Sequence, residues 1–151
     1  MAAKPLFMTV VRELVRCYQA FEMYSAAHIR ELDLTPSQFD IIATLGNTKG
    51  MTSKCLGERT LITKGTLTGV VDRLIAKGLV RRVQCEFDGR SQIVQLTAEG
   101  EAMFDKVFPA HVEYMKRVFV DLKEEELAQI EARLMQLHRA FDACERKLDP
   151  E

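Results

Sequence analysis

One predicted helix, over residues 64–77, carries small, hydroxylated and cationic side chains along one face. Thr63 stands at its expected N-cap, and Gly78 stands where the helix should stop. Apolar residues recur on the other face at the spacing of a stripe that packs on a core, namely Leu67, Val70, Val71 and Leu74. The polar face suits close approach to DNA phosphates and to base edges in a major groove, and it consists of Lys64, Gly65, Thr66, Thr68, Gly69 and Arg73.

Plainer interpretations of this face stand beside the first one. Exposed polar residues on a helix are usually only solvated. Gly65 and Gly69 each weaken a helix by roughly 1 kcal/mol relative to alanine, so their presence asks for a reason. That reason is either close approach of a partner or tight packing within the chain, and the sequence does not decide between the two.

The segments around this helix predict a winged helix. A short helix from Thr52 to about Arg59 and the turn Thr60-Leu61-Ile62 precede it, as in a helix-turn-helix. Residues 79–85 and 92–96 are rich in β-branched side chains and predict two strands. Between them, Asp88-Gly89 predicts a type I′ hairpin turn, whose two central residues need positive φ. Arg90 then lies at the tip of a hairpin that follows a helix-turn-helix.

This segment resembles the MarR family of winged-helix transcription regulators. The match runs without a gap from Thr52 through Thr63-Lys64, residues 71–74, residues 77–82, Asp88-Gly89-Arg90 and residues 96–100. The flanking helices also fit, so the resemblance covers most of the chain. It implies a mostly α fold with a small β-hairpin wing, in which a winged helix-turn-helix is flanked by N- and C-terminal dimerisation helices. It further implies that the arginine of the Asp-x-Arg pattern, here Arg90, enters a DNA minor groove.

The distribution of charge supports a nucleic-acid partner although the net charge of the 151 residues is −1. Residues 52–96 carry eight Lys and Arg against four Asp and Glu, a local excess of +4. Residues 97–151 carry eight against thirteen, which is −5, and residues 1–51 balance at five each. A local basic patch governs phosphate binding more than the total charge does.

The terminal segments predict long helices with more apolar surface than one small domain needs. Residues 6–32 place Phe7, Val10, Leu14, Cys17 and Phe21 on one stripe, and Leu127, Ile130, Leu134, Leu137 and Phe141 repeat with the same spacing near the C-terminus. We therefore divide the chain into an N-terminal dimerisation helix (1–34), a winged helix-turn-helix (35–96) and C-terminal dimerisation helices (97–151). Two-fold symmetry then places two recognition helices about one DNA turn apart, ~34–36 Å, on a pseudo-palindrome.

The predicted contacts to double-stranded DNA lie on the helix-turn-helix and the wing. Arg81, Arg82 and Lys54 are expected to contact phosphates at most, which position a protein without reading sequence. An exposed arginine at a hairpin tip is often ordinary surface, but a narrow minor groove attracts it. The full predicted set is Lys54, Thr63, Lys64, Gly65, Thr66, Thr68, Arg73, Asp88 and Arg90.

Cys17 has two interpretations. Some members of the family sense oxidants through a cysteine in that region, so an oxidant-sensing regulator that acts through Cys17 is one alternative function. Cys17 is, however, several residues closer to the Leu34-Thr35 helix start than the sensing cysteine of the oxidant-responsive subgroup. Free cysteine is also among the most buried residue types, so we expect a buried structural role. Cys55, Cys85 and Cys144 are scattered and show no pairing pattern.

The resemblance also implies an effector pocket between the dimerisation helices and the winged helix, usually for aromatic or phenolic acids. The residues with suitable chemistry are Arg16, Tyr18, Tyr24, His28 and His111, although aromatic residues on an apolar helix face are more often core. Zinc-responsive relatives use an H-x-x-x-H pattern in the C-terminal helix, but Met115 occupies the second ligand position after His111. Asp40 and His28 would have to complete a site, so we predict no metal and no cofactor.

The sequence thus predicts a homodimeric transcription regulator, most simply a repressor, that a small ligand releases from its operator. No G-x-S-x-G, H-E-x-x-H or Walker pattern occurs, so we do not expect an enzyme. A winged helix used only for protein contacts is the remaining alternative, and the basic excess of residues 52–96 argues against it. Unpaired cysteines, no transmembrane stretch and no signal peptide predict a cytoplasmic protein without membrane contact.

Overall fold

Helices dominate the structure, a computed structural model that describes residues 4–60 and 62–148. The helices are α1 (Leu6–Glu31), α2 (Pro36–Leu45), α3 (Ser53–Thr60), α4 (Lys64–Ala76), α5 (Ala98–Lys116) and α6 (Glu124–Leu148), with a 3-10 helix at Arg117–Phe119. The strands β1 (Met51–Thr52), β2 (Val80–Gln84) and β3 (Gln92–Leu96) form an antiparallel sheet in the order β1-β3-β2. The predicted fold class is confirmed. The turn between α3 and α4 includes Leu61, which lies outside the described residues.

The chain divides into two compact units between Tyr114 and Met115. The first unit holds α1 to α4, the sheet and most of α5. The second unit holds the end of α5, the 3-10 helix and α6. None of the helices in the described ranges combines the length and apolarity that a membrane span requires.

The start of α2 follows from three neighbouring residues. The hydroxyl of Thr35 accepts a hydrogen bond from the backbone N–H of Gln38 at 3.2 Å, and the Gln38 side chain accepts one from the Thr35 N–H at 3.2 Å. Pro36 occupies the first helical position, where its missing N–H costs nothing. The sequence Thr35-Pro36-Ser37-Gln38 predicts this capping box, with Thr35 at the N-cap and Gln38 at N3, and the structure confirms it. The helix that it starts points Phe39, Ile41, Ile42 and Leu45 into the core.

The core of the first unit lies where α2, α3 and α4 meet the sheet. Leu67, Val70, Val71 and Leu74 of α4 are all buried, as their spacing predicts. They pack with the α2 residues, Leu56 of α3 and Val94 of β3 in one cluster of buried residues. Because this stripe holds α4 on one side, the helix presents its other side to solvent.

The junction after β3 fixes the wing relative to the end of α4. The Thr97 hydroxyl donates to the Gly78 carbonyl at 2.6 Å and accepts from the Gly100 N–H at 3.1 Å, so it caps α5. A Cβ atom at Gly100 would lie 1.9 Å from the Leu79 carbonyl oxygen. Only glycine therefore allows the first turn of α5 to sit on this backbone. Gly78 itself has φ +75°, which suits the predicted stop of α4.

The sheet differs from the predicted hairpin in two respects. Met51–Thr52 forms a short third strand against Ile93 and Val94, and two residues are too few to produce a period in the sequence. The predicted type I′ turn at Asp88-Gly89 is wrong, because neither residue has positive φ. A longer loop joins Gln84 to Gln92 instead, and the Ser91 N–H donates to the Asp88 carbonyl at 3.0 Å across its tip.

Most of the predicted apolar stripe on α1 is exposed in the single chain. Only Ser25 and Ile29, near the end of the helix, are buried. Phe7 is 65% exposed and Phe21 is 49% exposed, and Val10, Val15 and Tyr18 are exposed as well. Cys17 is also exposed, so the expectation of a buried cysteine is wrong for the isolated chain. The reason is that no described residue of the first unit covers this part of the α1 stripe.

The helix α6 likewise has no buried residue. Ile130, Leu134 and Phe141 of its predicted seam are about half exposed, while Leu127 and Leu137 are half-buried. The sequence predicts that this helix begins near Asp121 or Lys123, with Asp121 and Glu124 in a D-x-x-E cap. In the structure it begins at Glu124, directly after Lys123. The Glu126 carboxylate, instead of the predicted pair, accepts from the Lys123 N–H at 2.8 Å.

Candidate functional site

The exposed side of α4 brings the predicted DNA-contacting residues together on one surface. We call this the α4 surface and define it as Lys64, Gly65, Thr66, Thr68, Gly69 and Arg73. All of them are exposed except Gly69, which is half-buried. The arrangement follows from the helical period, because the buried stripe of α4 alternates with these positions. Lys54, on α3, is exposed too.

The N-terminus of α4 is open to an anion. Thr63 occupies the N-cap position, as predicted, but its side chain does not cap the helix. Its hydroxyl donates instead to the Thr66 hydroxyl at 3.1 Å. The first turn contains no acidic residue, so nothing within it neutralises the positive end of the helix dipole. Such a terminus, with Lys64 beside it, favours a phosphate oxygen.

The two glycines of α4 do not serve packing within the described chain. A Cβ atom added at Gly65 or at Gly69 would meet nothing within 4 Å. The contrast is Gly46, where an added Cβ would lie 2.2 Å from the Phe104 ring. Of the two explanations that the sequence leaves open, the structure therefore removes tight packing inside the chain. Close approach of something outside it remains.

Asp88 organises the backbone of the wing, which we define as β2, β3 and the loop of residues 85–91. One oxygen of its carboxylate accepts from the Arg90 backbone N–H at 3.0 Å, and the other accepts from the Ser91 hydroxyl at 3.0 Å. The carboxylate thus holds the chain at the tip, and within residues 4–60 and 62–148 Arg90 makes no ion pair. The Arg90 side chain is exposed and available to a partner.

The remaining cations of this region separate into engaged and available groups. Arg82 forms an ion pair with Asp72 of α4 at 2.8 Å, which holds its guanidinium against the protein, and its contact with a phosphate stays a prediction. The Lys77 ammonium lies 3.4 Å from the Gln38 side-chain oxygen. Counting only partners that the structure describes, no ion pair involves Lys54, Lys64, Arg73 or Arg81. These four cations, together with Arg90, are therefore available to a negatively charged partner.

Three of the five predicted effector-site residues meet in what we call the aromatic cluster, which consists of Tyr24, His28, Phe39, His111 and Tyr114. The Tyr114 ring stacks on Tyr24 and on His28, with centroids 4.3 and 4.4 Å away. The Phe39 ring lies 4.6 Å from that of His111. Arg16 instead pairs with Glu13 on its own helix at 3.2 Å, and Tyr18 is exposed and hydrogen-bonded to Glu22. The structure does not bring Arg16 and Tyr18 into the cluster.

Hydrogen bonds within the cluster connect α1 to α5. The Tyr24 hydroxyl donates to the Tyr114 carbonyl at 3.0 Å. One ring nitrogen of His111 (Nε2) lies 3.1 Å from the Ser25 hydroxyl, and the other (Nδ1) lies 3.0 Å from Nδ1 of His28. One imidazole must donate and the other accept, so this contact cannot survive protonation of both rings. Ser25 and Tyr114 were not predicted from the sequence.

The cluster and its surroundings perturb several pKa values. Burial, together with the nearby His28, lowers the pKa of His111 below its ordinary value. Asp40 keeps part of its surface in solvent, but desolvation and then the charge of Glu22 raise the pKa of its carboxyl to about 6. The hydrogen bond to Glu22 raises the pKa of Tyr18. No three metal-binding side chains of the described chain converge on one point.

The His111 site should contribute less to the stability of the fold on mild acidification. Since His111 takes up a proton less readily when folded, its site favours folding above its ordinary pKa of 6.5 and loses that contribution as the pH falls. Asp40 acts in the opposite sense below about pH 6, because its raised pKa favours the folded chain at lower pH. We expect the free energy of unfolding of His111→Gln to fall less than that of the parent protein between about pH 7.5 and 5.5. Urea unfolding at several pH values measures the free energy of unfolding, and Asp40→Asn isolates the opposing contribution of Asp40. If the free energy of unfolding of His111→Gln depended on pH as that of the parent does, this expectation would be wrong.

Comparison with known proteins agrees with this architecture. A family model described as MarR family matches residues 32–91. The HTH-type transcriptional regulator MhqR of Bacillus subtilis (strain 168) is 28% identical over 127 residues, which cover 84% of this chain and 86% of MhqR. The crystal structure of AbsC, a MarR family transcriptional regulator from Streptomyces coelicolor, matches with a TM-score of 0.82 at 24% identity, over 95% of this chain and 99% of AbsC.

A second solved structure is that of BpsR from Bordetella bronchiseptica, described as showing a mechanism for regulation of its DNA binding by 6-hydroxynicotinic acid. It matches with a TM-score of 0.78 at 24% identity, over 91% of this chain and 98% of BpsR. The family is one of transcriptional regulators and not of enzymes. The winged helix, the exposed α4 surface and these matches together support the assignment of the chain to the winged-helix transcriptional regulators of the MarR family.

Proposed function

We propose that this regulator is a homodimeric repressor that binds a pseudo-palindromic DNA operator. The observation that carries the proposal is the α4 surface, where glycines with open space around them alternate with exposed threonines and cations. Without side chains at Gly65 and Gly69, the helix backbone can approach the floor of a major groove. Thr66, Thr68 and Lys64 then reach base edges, while Thr63, Lys54 and Arg73 contact phosphates.

The wing supplies the second contact in this proposal. The Asp88 carboxylate fixes the backbone around Arg90, so the guanidinium projects from a loop that is already ordered. An ordered loop loses less conformational entropy on binding. Arg90 enters the minor groove next to the major groove that α4 occupies, where a narrow groove concentrates negative potential.

The exposed apolar faces of α1 and α6 support a dimer. Each of these helices exposes several large apolar side chains, and a second copy of the chain would remove them from water. Two copies related by a two-fold axis present two α4 surfaces to successive turns of one DNA duplex. A protein that acts on DNA in this way works in the cytoplasm.

Selection of duplexes from a random pool tests the proposal directly. The chain should enrich a pseudo-palindrome whose half-sites lie about 10 base pairs apart, centre to centre. Binding of the enriched duplex should weaken steeply as salt rises, because phosphate contacts release counterions. The absence of any salt-sensitive duplex binding would instead favour a winged helix used for protein contacts alone.

Alanine at the α4 glycines should separate stability from DNA binding. Because an added Cβ at Gly65 or Gly69 meets nothing, each substitution should stabilise the helix by roughly 1 kcal/mol. The same methyl group should keep the helix backbone away from the groove and weaken operator binding about tenfold, or 1.4 kcal/mol. Thermal unfolding and gel shift on the same variants measure the two effects. Stabilised variants with undiminished affinity would show that α4 does not approach DNA this closely.

We further propose that a hydroxylated aromatic acid releases the repressor by opening the aromatic cluster. The cluster joins α1 to α5 through rings and hydrogen bonds that an aromatic acid can replace. The ligand can act only if it binds the DNA-incompetent shape more tightly. Titration with 6-hydroxynicotinic acid and 4-hydroxybenzoic acid should weaken operator binding in the parent protein and not in Tyr24→Ala. Equal release of both proteins would place the effector elsewhere.

Cys17 supports an oxidant as the alternative signal, because its thiol is exposed in the single chain on the α1 stripe that the proposed dimer covers, where oxidation would disturb the interface. Peroxide should then release the operator from the parent protein and leave Cys17→Ser bound. Release of both proteins by peroxide, or of neither, would remove Cys17 from the mechanism.

A further inference from the structure

Phe87 is an exposed aromatic residue that the fold does not use. Its side chain is 98% exposed, in the wing loop three residues before Arg90. The other large apolar residues exposed in the described chain lie within residues 6–31 and 98–148, where the proposed dimer covers apolar faces. Phe87 belongs to neither of these segments, so dimerisation through the terminal helices gives it no role.

The loop around Phe87 is held by hydrogen bonds on both sides. The Cys85 N–H donates to the Ser91 carbonyl at 2.8 Å, and the Ser91 N–H donates to the Asp88 carbonyl at 3.0 Å. The Gln84 side-chain amide donates to the Gly89 carbonyl. These bonds, with those of the Asp88 carboxylate, fix the loop in a conformation that keeps the Phe87 ring in water. A partner that covers this exposed ring removes apolar surface from water, which favours binding.

We propose that Phe87 is a second DNA contact of the wing, which packs against the apolar sugar edges of the minor groove that Arg90 enters. This inference rests on the proposed DNA binding. The position favours DNA because the ring shares one hydrogen-bonded loop with an arginine that forms no ion pair with a described residue. Minor-groove-binding proteins elsewhere combine cations with apolar side chains, phenylalanine among them, that enter the groove and contact base steps.

The charges beside the ring restrict how it contacts DNA. Glu86 and Asp88 flank Phe87, and Glu86 is exposed. A carboxylate is repelled by phosphates, so the ring must face sugars and not the phosphate chain. The contact is therefore apolar, which adds affinity without releasing counterions. It should not depend on salt, and this property distinguishes it from the contact made by Arg90.

The first test uses a duplex that the parent protein selects from a random pool. Phe87→Ala should bind it about tenfold more weakly with an unchanged salt slope, whereas Arg90→Ala should reduce both affinity and slope. Met23→Ala, which removes another exposed apolar side chain on α1 and outside the wing, should bind as the parent does. The melting temperature of Phe87→Ala should stay the same, because a ring that is 98% exposed buries almost no apolar surface in the folded chain. Parental affinity of Phe87→Ala for the selected duplex would overturn this inference alone, and failure to select any duplex would overturn the proposed function as well.

The second test exploits the absence of tryptophan from the sequence. Phe87→Trp gives the protein one indole at the wing tip, and its emission should shift to the blue and change intensity when the selected duplex is added. Met23→Trp, at a residue that is 77% exposed on α1, is the matched control and should not respond. If the emission of Phe87→Trp does not change when the duplex binds, the proposed contact is wrong. If the emission changes on dimerisation but not on DNA binding, the ring contacts a protein partner, and the inference is equally overturned.

Discussion

Replacing Arg90 with alanine should reduce operator affinity by roughly 100-fold. A hydrogen bond to a charged group contributes at least about 1.5 kcal/mol, and a dimer loses two of these arginines, which gives about 3 kcal/mol. The loss should be specific to binding, since the Arg90 side chain is exposed and forms no ion pair with any residue that the structure describes. The slope of log affinity against log salt should also fall, because fewer counterions are released.

Gel shift over a range of salt concentrations measures this effect, and two further variants make it specific. Arg90→Lys retains the charge but loses the planar guanidinium, so it should keep the salt slope and still lose affinity. Arg146→Ala removes an arginine near the end of α6 and should bind as the parent does. Full affinity in Arg90→Ala would mean that the wing does not enter the groove.

Asp88→Ala should show part of the loss of operator affinity that is expected for Arg90→Ala, although the arginine is still present. The Asp88 carboxylate accepts two hydrogen bonds that order the loop, so its removal frees the tip and raises the entropy cost of binding. This role could not be predicted from the Asp-Gly pair, which pointed to a two-residue turn. The structure replaces that turn with a side-chain-bonded loop, and the position of Arg90 depends on the aspartate rather than on positive φ.

The sequence predicts those parts of the fold that nearby residues determine. Thr35, Pro36 and Gln38 lie within four positions, and their capping box appears as expected. The buried stripe of α4 is also local, because its members follow the helical period. The α4 surface is predictable for the same reason, since burying one face of a helix exposes the other.

The parts that remain unpredictable depend on distant residues or on another molecule. The bond between His28 and His111 joins residues 83 positions apart, and no period in the sequence relates them. The strand Met51–Thr52 exists only because β3 lies beside it. Cys17 belongs to an apolar stripe, and such a stripe implies burial without saying which chain provides it. In the single chain it is exposed.

A glutamate at Val10 should convert the protein into a monomer and nearly abolish operator binding. Val10 lies on the exposed apolar stripe of α1, where a second copy would have to bury an unpaired charge. The isolated chain should still fold, because this position is 44% exposed and glutamate is a good helix former. Loss of the linked second half-site should then weaken binding by roughly 10²–10⁴-fold.

Sedimentation and gel shift on the same samples separate this effect from misfolding. Met23→Glu places the same charge on the opposite face of α1, which the helical period assigns to solvent, and it should remain a dimer with parental affinity. Each monomer still carries a complete α4 surface and wing, so Val10→Glu should bind DNA weakly with about half the parental salt slope. This residual salt slope is the most informative result, because an unfolded chain would not give it, whereas one folded monomer bound to DNA would. A monomer that bound the full operator as tightly as the parent, or a Val10→Glu chain that stayed dimeric, would contradict the two-fold arrangement on which reading of a palindrome depends.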